Sequence, residues 1–196
     1  MPLSDGYGLV IAAIPERGTV HDCLVGSRLA SLPAGATVAT GSARRRALLL
    51  DLRPDLEIIG LRGNIGTRLA QLPACGALVM AAVALERLGE QPGVVEALDP
   101  ERFVPQVGQG ALAVECRDGD DATIERLAAV NHGPTEVAVT AERSFLLELG
   151  GDCNLPAGAH AVADADGKLT IRGVLAAADG RSLQRAEIID LPGADP

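Results

Sequence analysis

Aromatic residues are nearly missing from this sequence. Of 196 residues two are Phe, one is Tyr and none is Trp, so any core must be built from Leu, Val, Ile and Ala. Lysine is also scarce, since Lys168 is the only lysine among 17 basic residues. No Cys-x-x-Cys occurs among the four cysteines (23, 75, 116 and 153), and no histidine stands at metal-ligand spacing, which argues against a zinc site or a secreted disulfide scaffold. No apolar run reaches membrane-spanning length, and the N-terminus lacks a charged stretch followed by an apolar one. A net charge of −9 argues against general nucleic-acid binding. The default is a reduced, cytoplasmic protein with no nucleic-acid or membrane partner.

What the sequence does hold is unevenly spread. Hydrophobic residues make up 47% of it, enough for real cores. Residues 40–70 carry six arginines (44, 45, 46, 53, 62 and 68) against Asp51, Asp55 and Glu57, a basic patch on an acidic background. Far downstream, Cys153 sits in Gly150-Gly151-Asp152-Cys153-Asn154-Leu155-Pro156, a tight loop that would expose its sulfur. Many guanidiniums suit a ligand with many carboxylates, because each can bind one bidentately. A thiol in such a loop offers a place for covalent attachment. The bland reading, a small buried hydrophobe, fits Cys23, Cys75 and Cys116.

Residues 7–14, 36–40, 55–60 and 77–82 read as strands. Helices follow the last three, ending near 52, 72 and 89, and this alternation implies a mainly parallel, covered sheet. Residues 104–110 read as a connector, 111–116 as a strand and 120–129 as a helix. Val137, Ala141, Phe145 and Leu149 recur every four residues, which marks an amphipathic helix from about Pro134. Beyond the Cys153 loop, alternating strands at 169–175 and 182–191 flank an Asp179-Gly180 turn. The fold class is α/β, followed by a small α+β C-terminal domain.

Thr40-Gly41-Ser42 joins a strand to a helix, where an anion is favoured; simple N-capping by Ser42 is the other reading. Arg44 and Arg45 oppose the dipole of that helix, so they tilt the choice toward a ligand. Arg46 points elsewhere and reads as solvated. Arg62-Gly63-Asn64 follows a strand at the carboxyl edge of the sheet, where α/β folds bind ligands, and Arg68 lies in the next helix. A surface loop with a solvated arginine is the alternative there, and Arg87 could simply close a helix. His21, His132 and His160 read as structural.

Several separate stretches resemble one family. They are Leu32-Pro33-Ala34-Gly35, Thr40-Gly41-Ser42-Ala43-Arg44-Arg45, Arg53-Pro54-Asp55-Leu56, Leu61 to Leu69, and Leu85-Glu86-Arg87-Leu88-Gly89. Val107 to Ala111, Glu115-Cys116-Arg117, Thr140 to Arg143 and the Cys153 loop complete the series. Together they are similar to porphobilinogen deaminase, also called hydroxymethylbilane synthase. The resemblance implies three domains, the first two like periplasmic binding proteins with parallel or mixed sheets. It implies a dipyrromethane cofactor joined to Cys153 by a thioether. Porphobilinogen loses ammonia and condenses onto that primer four times, and hydrolysis then releases hydroxymethylbilane.

The resemblance also assigns residues. Thr40, Ser42, Arg44, Arg45, Arg62 and Gly63 match the positions around the cofactor, and Arg62, Arg68 and Arg87 match those that take substrate carboxylates. Two departures are Gly41, where a second Ser is common, and Asp152, where a Gly usually precedes the cysteine. The family's catalytic Asp matches nothing here and would fall upstream of Met1, so the expectation is a truncated chain of weak activity. Residues 1–17 would be a remnant of domain one, 18–104 domain two, 105–130 a hinge and return segment, and 131–196 a shortened domain three. The family is monomeric; this chain would self-associate or pair with a missing N-terminal part. The rival readings are a non-catalytic polycarboxylate-binding module and one half of a split enzyme.

Overall fold

Short apolar runs buried on both faces build the centre of this protein. Its computed structural model describes residues 8–150, 155–164, 168–177, 179–180 and 182–191. Strands β1 (Leu9–Ala13), β2 (Asp22–Val25), β3 (Thr37–Ala39), β4 (Glu57–Ile59), β5 (Ala77–Ala81) and β6 (Val95–Ala97) come first, followed by β7 (Val114–Arg117) and β8 (Ala157–Ala163). The last two strands are β9 (Leu169–Ala176) and β10 (Leu183–Leu191). The helices are α1 (Ala43–Leu52), α2 (Ile65–Ala70), α3 (Ala82–Leu88), α4 (Asp121–Leu127) and α5 (Gly133–Glu148).

Five strands form the main sheet in the order β4-β3-β5-β2-β6. Strand β3 runs parallel to β4 and β5, whereas β2 is antiparallel to both β5 and β6. The sheet is therefore mixed, not mainly parallel as the βα alternation suggested. The difference comes from β2 and β6, which the pattern reading missed. Strand β2 is only four residues long and buried throughout, with Leu24 on one face and Cys23 and Val25 on the other. Such a strand shows no alternation. Strand β5 likewise sends Ala77 and Val79 to one side, and Leu78 and Met80 to the other.

Local chemistry sets the helix ends. Ser42 Oγ accepts from the Arg45 N–H at 3.4 Å, and Asn64 Oδ1 accepts from the Thr67 N–H at 2.9 Å, so α1 and α2 are both side-chain capped. Gly89, at φ 68°, closes α3 in the left-handed region. Two further sheets complete the fold. Strands β1 and β7 pair as an antiparallel ribbon, and β8, β9 and β10 form an antiparallel sheet in the order β10-β9-β8. Helix α5 covers that second sheet, its Val137, Ala141 and Phe145 packing with Ala159, Ala161 and Ile171. The strand expected at 111–116 starts only at Val114, and β8 was not foreseen, because alternating Ala and Gly carries little apolar signal.

Two contacts seat the C-terminal sheet. Val174 of β9 enters the core of the main sheet beside Phe103 and Val104. Gly158 of β8 lies so close to the connector that a Cβ there would stand 2.5 Å from the Pro105 carbonyl oxygen and 2.8 Å from Arg44 Cδ. A buried ion pair adds a third tie. Glu142 of α5 is fully buried and takes Arg17 bidentately at 2.7 and 3.0 Å. The same carboxylate accepts from the Gly108 N–H at 2.7 Å and the Ala161 N–H at 2.9 Å. One side chain thus joins four segments, and every oxygen is satisfied, the condition under which a buried charge is tolerated.

Gly158→Ala should lower stability by about 1–3 kcal/mol in urea unfolding, because backbone oxygens cannot yield to the added methyl as a flexible side chain would. His160, on β8 opposite Arg172, supplies a pH dependence. Burial, with Arg17 and Arg172 adding to it, pushes its pKa down to about 4, and its Nδ1 has no partner among the described residues. A depressed histidine binds its proton in the unfolded chain first, so stability should fall as pH drops from about 6.5 toward 4. Urea midpoints between pH 7 and 5 should show this slope, and His160→Gln should flatten it.

Candidate functional site

The carboxyl ends of β3 and β4 open into a cleft of about 960 Å³, the edge at which α/β sheets bind ligands. Thr40-Gly41-Ser42 form one wall as β3 turns into α1, and Gly60 to Gly63 form the other as β4 turns into α2. Gly41 allows the walls to approach closely. A Cβ on it would lie 2.4 Å from the Leu61 carbonyl oxygen, so a side chain here would push the second loop outward.

Four arginines line this cleft: Arg45, Arg46, Arg62 and Arg68. No acidic residue lines it among the described residues. The four differ in how they are held. Arg68 donates Nε–H to the Gly63 carbonyl at 2.7 Å, and Arg62 is exposed, its side chain without a hydrogen bond or ion pair among the described residues. The Gln71 amide donates to the Arg62 carbonyl at 3.4 Å, bracing that loop. Thr40 Oγ1 accepts from the Ser42 N–H at 3.3 Å. Ser42 thus both caps α1 and lines the cleft.

Asp22, which sequence reasoning did not single out, organises the pair Arg44 and Arg45. It is fully buried at the start of β2. Arg45 reaches Asp22 Oδ1 through Nε at 2.9 Å and Nη2 at 2.8 Å. Arg44 Nη1 stands 2.8 Å from Asp22 Oδ2 and donates to the Val104 carbonyl at 2.6 Å. Gln109 Nε2 adds a bond to Asp22 Oδ1 at 3.2 Å and one to the Val20 carbonyl at 2.6 Å. Burial opposes ionisation of Asp22, yet the two guanidiniums overcome it and hold the carboxyl below its ordinary value. Burial conversely lowers the pKa of Arg44, with Asp22 opposing that shift.

The expected site residues therefore separate. Thr40, Ser42, Arg45, Arg62, Gly63 and Arg68 come together around one cleft, as does Arg46, which the pattern assigned only to solvent. Arg44 does not line the cleft. It is buried against Asp22, Val104 and Gly158, and its Nε lacks a partner among the described residues. Arg87 also stands outside the cleft lining, with Nη2 donating to the Gly110 carbonyl at 2.8 Å. Cys153 lies outside the described residues. No local signal marks Asp22, because β2 is four residues long and buried on both faces, without the alternation that would single out one position. Among the described residues no cluster of His, Cys, Asp or Glu gathers as for a metal ion, and no helix is long and apolar enough to cross a membrane.

The family model for the porphobilinogen deaminase dipyromethane cofactor-binding domain matches residues 1–125, and that for the porphobilinogen deaminase C-terminal domain matches 137–195. The chain belongs to the porphobilinogen deaminase family. It is 46% identical over 193 residues to the porphobilinogen deaminase of Thermus thermophilus, covering 96% of this chain and 64% of that protein. The Syntrophobacter fumaroxidans enzyme matches at 46% identity, covering 91% and 59%, and that of Syntrophotalea carbinolica at 44%, covering 90% and 57%. The chain thus spans about three fifths of the length of these curated relatives. A solved structure, YhfZ from Shigella flexneri, overlaps 68% of the chain and 61% of its own at 18% identity and a TM-score of 0.30, too slight a likeness to support anything further.

Asp22→Asn should cost about 3–5 kcal/mol in urea unfolding, because it strands the buried Arg44 charge. Joining it with Arg44→Met should recover part of that loss. Equal stability of Asp22→Asn and the parent would show that the network contributes nothing.

Proposed function

We propose that this chain carries the cofactor and polycarboxylate-binding part of a hydroxymethylbilane synthase. The observation that carries the reading is a cleft with four arginines and no lining acid among the described residues. Its donor set fits a dipyrromethane, whose rings each bear two carboxylates. Arg45, Arg62 and Arg68 would take those carboxylates, with the Thr40 and Ser42 hydroxyls beside them and Gly63 keeping the loop backbone near the ligand. When bound through a thioether to Cys153, dipyrromethane supplies the primer on which four porphobilinogen units condense with loss of ammonia, before water releases hydroxymethylbilane.

The chain's own residues do two kinds of work in this reading. The guanidiniums neutralise and orient the acetate and propionate groups, a positioning role. Asp22 keeps Arg45 on the cleft wall, while Arg44 acts indirectly by fixing Asp22 and the Val104 carbonyl. Arg87 steadies the Gly110 segment through its bond to that carbonyl, and its part in binding substrate carboxylates belongs to the same proposal. The pairing of β1 with β7 supports grouping residues 1–17 with 105–130 in one unit, beside 18–104 and 131–196. A periplasmic-binding-protein-like arrangement of the first two units belongs to the same proposal.

Incubation of the chain with hydroxymethylbilane, then intact mass and peptide mapping, tests this reading. The Cys153 thiol should displace the hydroxyl of hydroxymethylbilane as water, so the peptide containing it should gain the mass of the tetrapyrrole less one water, and Cys153→Ser should abolish the gain. An unmodified Cys153 would leave family membership untouched and favour a non-catalytic polycarboxylate-binding module.

A further inference from the structure

Arg46 follows directly on the pair at 44 and 45, and an exposed helix arginine in such a place ordinarily does no more than face solvent. Three observations set it apart. Its side chain lines the same cleft as Arg45, Arg62 and Arg68. It also lines a second cavity of about 440 Å³, walled by Leu50, Asp51, Pro54, Gly180 and Leu183. Among the described residues it alone lines both cavities, and so stands between the cleft and the side of α1 that faces the C-terminal sheet. Finally, its guanidinium makes no hydrogen bond or ion pair among the described residues, although two acids stand near.

Those acids do not claim it. Asp51, one turn along α1, is held by Arg185 Nη2 at 2.7 Å, and Asp179 also has an interaction of its own. The stem of Arg46 passes beside the Gly180 turn. The Gly180 turn lies against it, such that a Cβ at Gly180 would sit 3.7 Å from Arg46 Cγ and Cδ. The exposed stem thus runs alongside that turn while the charged head keeps its donors open, the division usual for a long cationic side chain. A guanidinium in that state, in one cleft with three others and without an acceptor among the described residues, is set to receive a carboxylate.

We propose that Arg46 is a further carboxylate-binding residue that favours longer polycarboxylates over a single pyrrole. This rests on the function proposed above. Arg62 and Arg68 share the loop side of the cleft, whereas Arg46 stands on its α1 side, next to the second cavity at the Gly180 turn. A one-ring ligand held by the loop arginines leaves Arg46 unused; a second ring brings two more carboxylates within its charge. Chain length is then read by charge count along the cleft.

Calorimetric titration of this chain with porphobilinogen, and with a synthetic dipyrromethane bearing four carboxylates, tests the proposal. Arg46→Gln should weaken dipyrromethane binding by about fivefold to twentyfold, the range for losing a charge-assisted pair that is partly solvated. It should change porphobilinogen binding by less than about twofold and leave the thermal midpoint unmoved. Arg46→Lys should fall between, keeping the charge without the bidentate geometry. Arg62→Gln should weaken both ligands and serves as the reference. Unchanged dipyrromethane binding in Arg46→Gln, with Arg62→Gln impaired, overturns this inference alone. An equal loss for both ligands overturns the length preference. Failure of the parent chain to bind either ligand overturns the proposed function, and this inference with it.

Discussion

The buried carboxylate of Asp22, with the two arginines drawn onto it, is the constraint to which the site and much of the fold answer. A carboxylate with no solvent exposure is tolerable only when paired and hydrogen-bonded. Here that requirement pulls the first turn of α1 down onto the start of β2. It also draws in Gln109 from the connector and, through Arg44, the Val104 carbonyl. Segments far apart in the chain are held in register because one charge must not be left alone. Arg45 consequently presents only part of its guanidinium to the cleft, and presents it from a fixed position.

Glu142 plays the corresponding part for the C-terminal sheet. Its bonds to Arg17, Gly108 and Ala161 draw the N-terminal segment and the connector to α5 and β8. Gly158 and Gly110 complete the seam by letting backbones approach where no side chain would fit. A Cβ at Gly110 would stand 2.6 Å from the Gly18 carbonyl oxygen. Apolar burial alone would hold these layers together without fixing their angle, since it is not directional. The two charge networks and the two glycines supply the direction.

The chemistry of the cleft follows from what surrounds it. Acids near the arginines are either used up on structural partners, as Asp22 and Asp51 are, or stand away from the lining. The cleft therefore keeps a net positive field within a protein whose overall charge is −9. Such a contrast favours a ligand with several carboxylates over one with a single charge, because each added group finds another guanidinium.

Much of this was legible in the sequence. The βα alternation located β3, β4, β5 and their helices, the four-residue apolar repeat located α5, and the short motifs brought Thr40, Ser42, Arg45, Arg62 and Arg68 to one sheet edge. Those signals are local: periodicity, caps and turn residues act within a few positions of one another. What the sequence could not determine was which arginine is spent on the fold and which remains for a ligand. Arg44, Arg45 and Arg46 are identical side chains in consecutive positions, yet one is buried on Asp22, one is shared between Asp22 and the cleft, and one is unpaired among the described residues. That sorting depends on helix phase against a strand 20 residues upstream and a connector 60 residues downstream. Only the tertiary structure decided it, because a charge acquires its role from the partners packed around it.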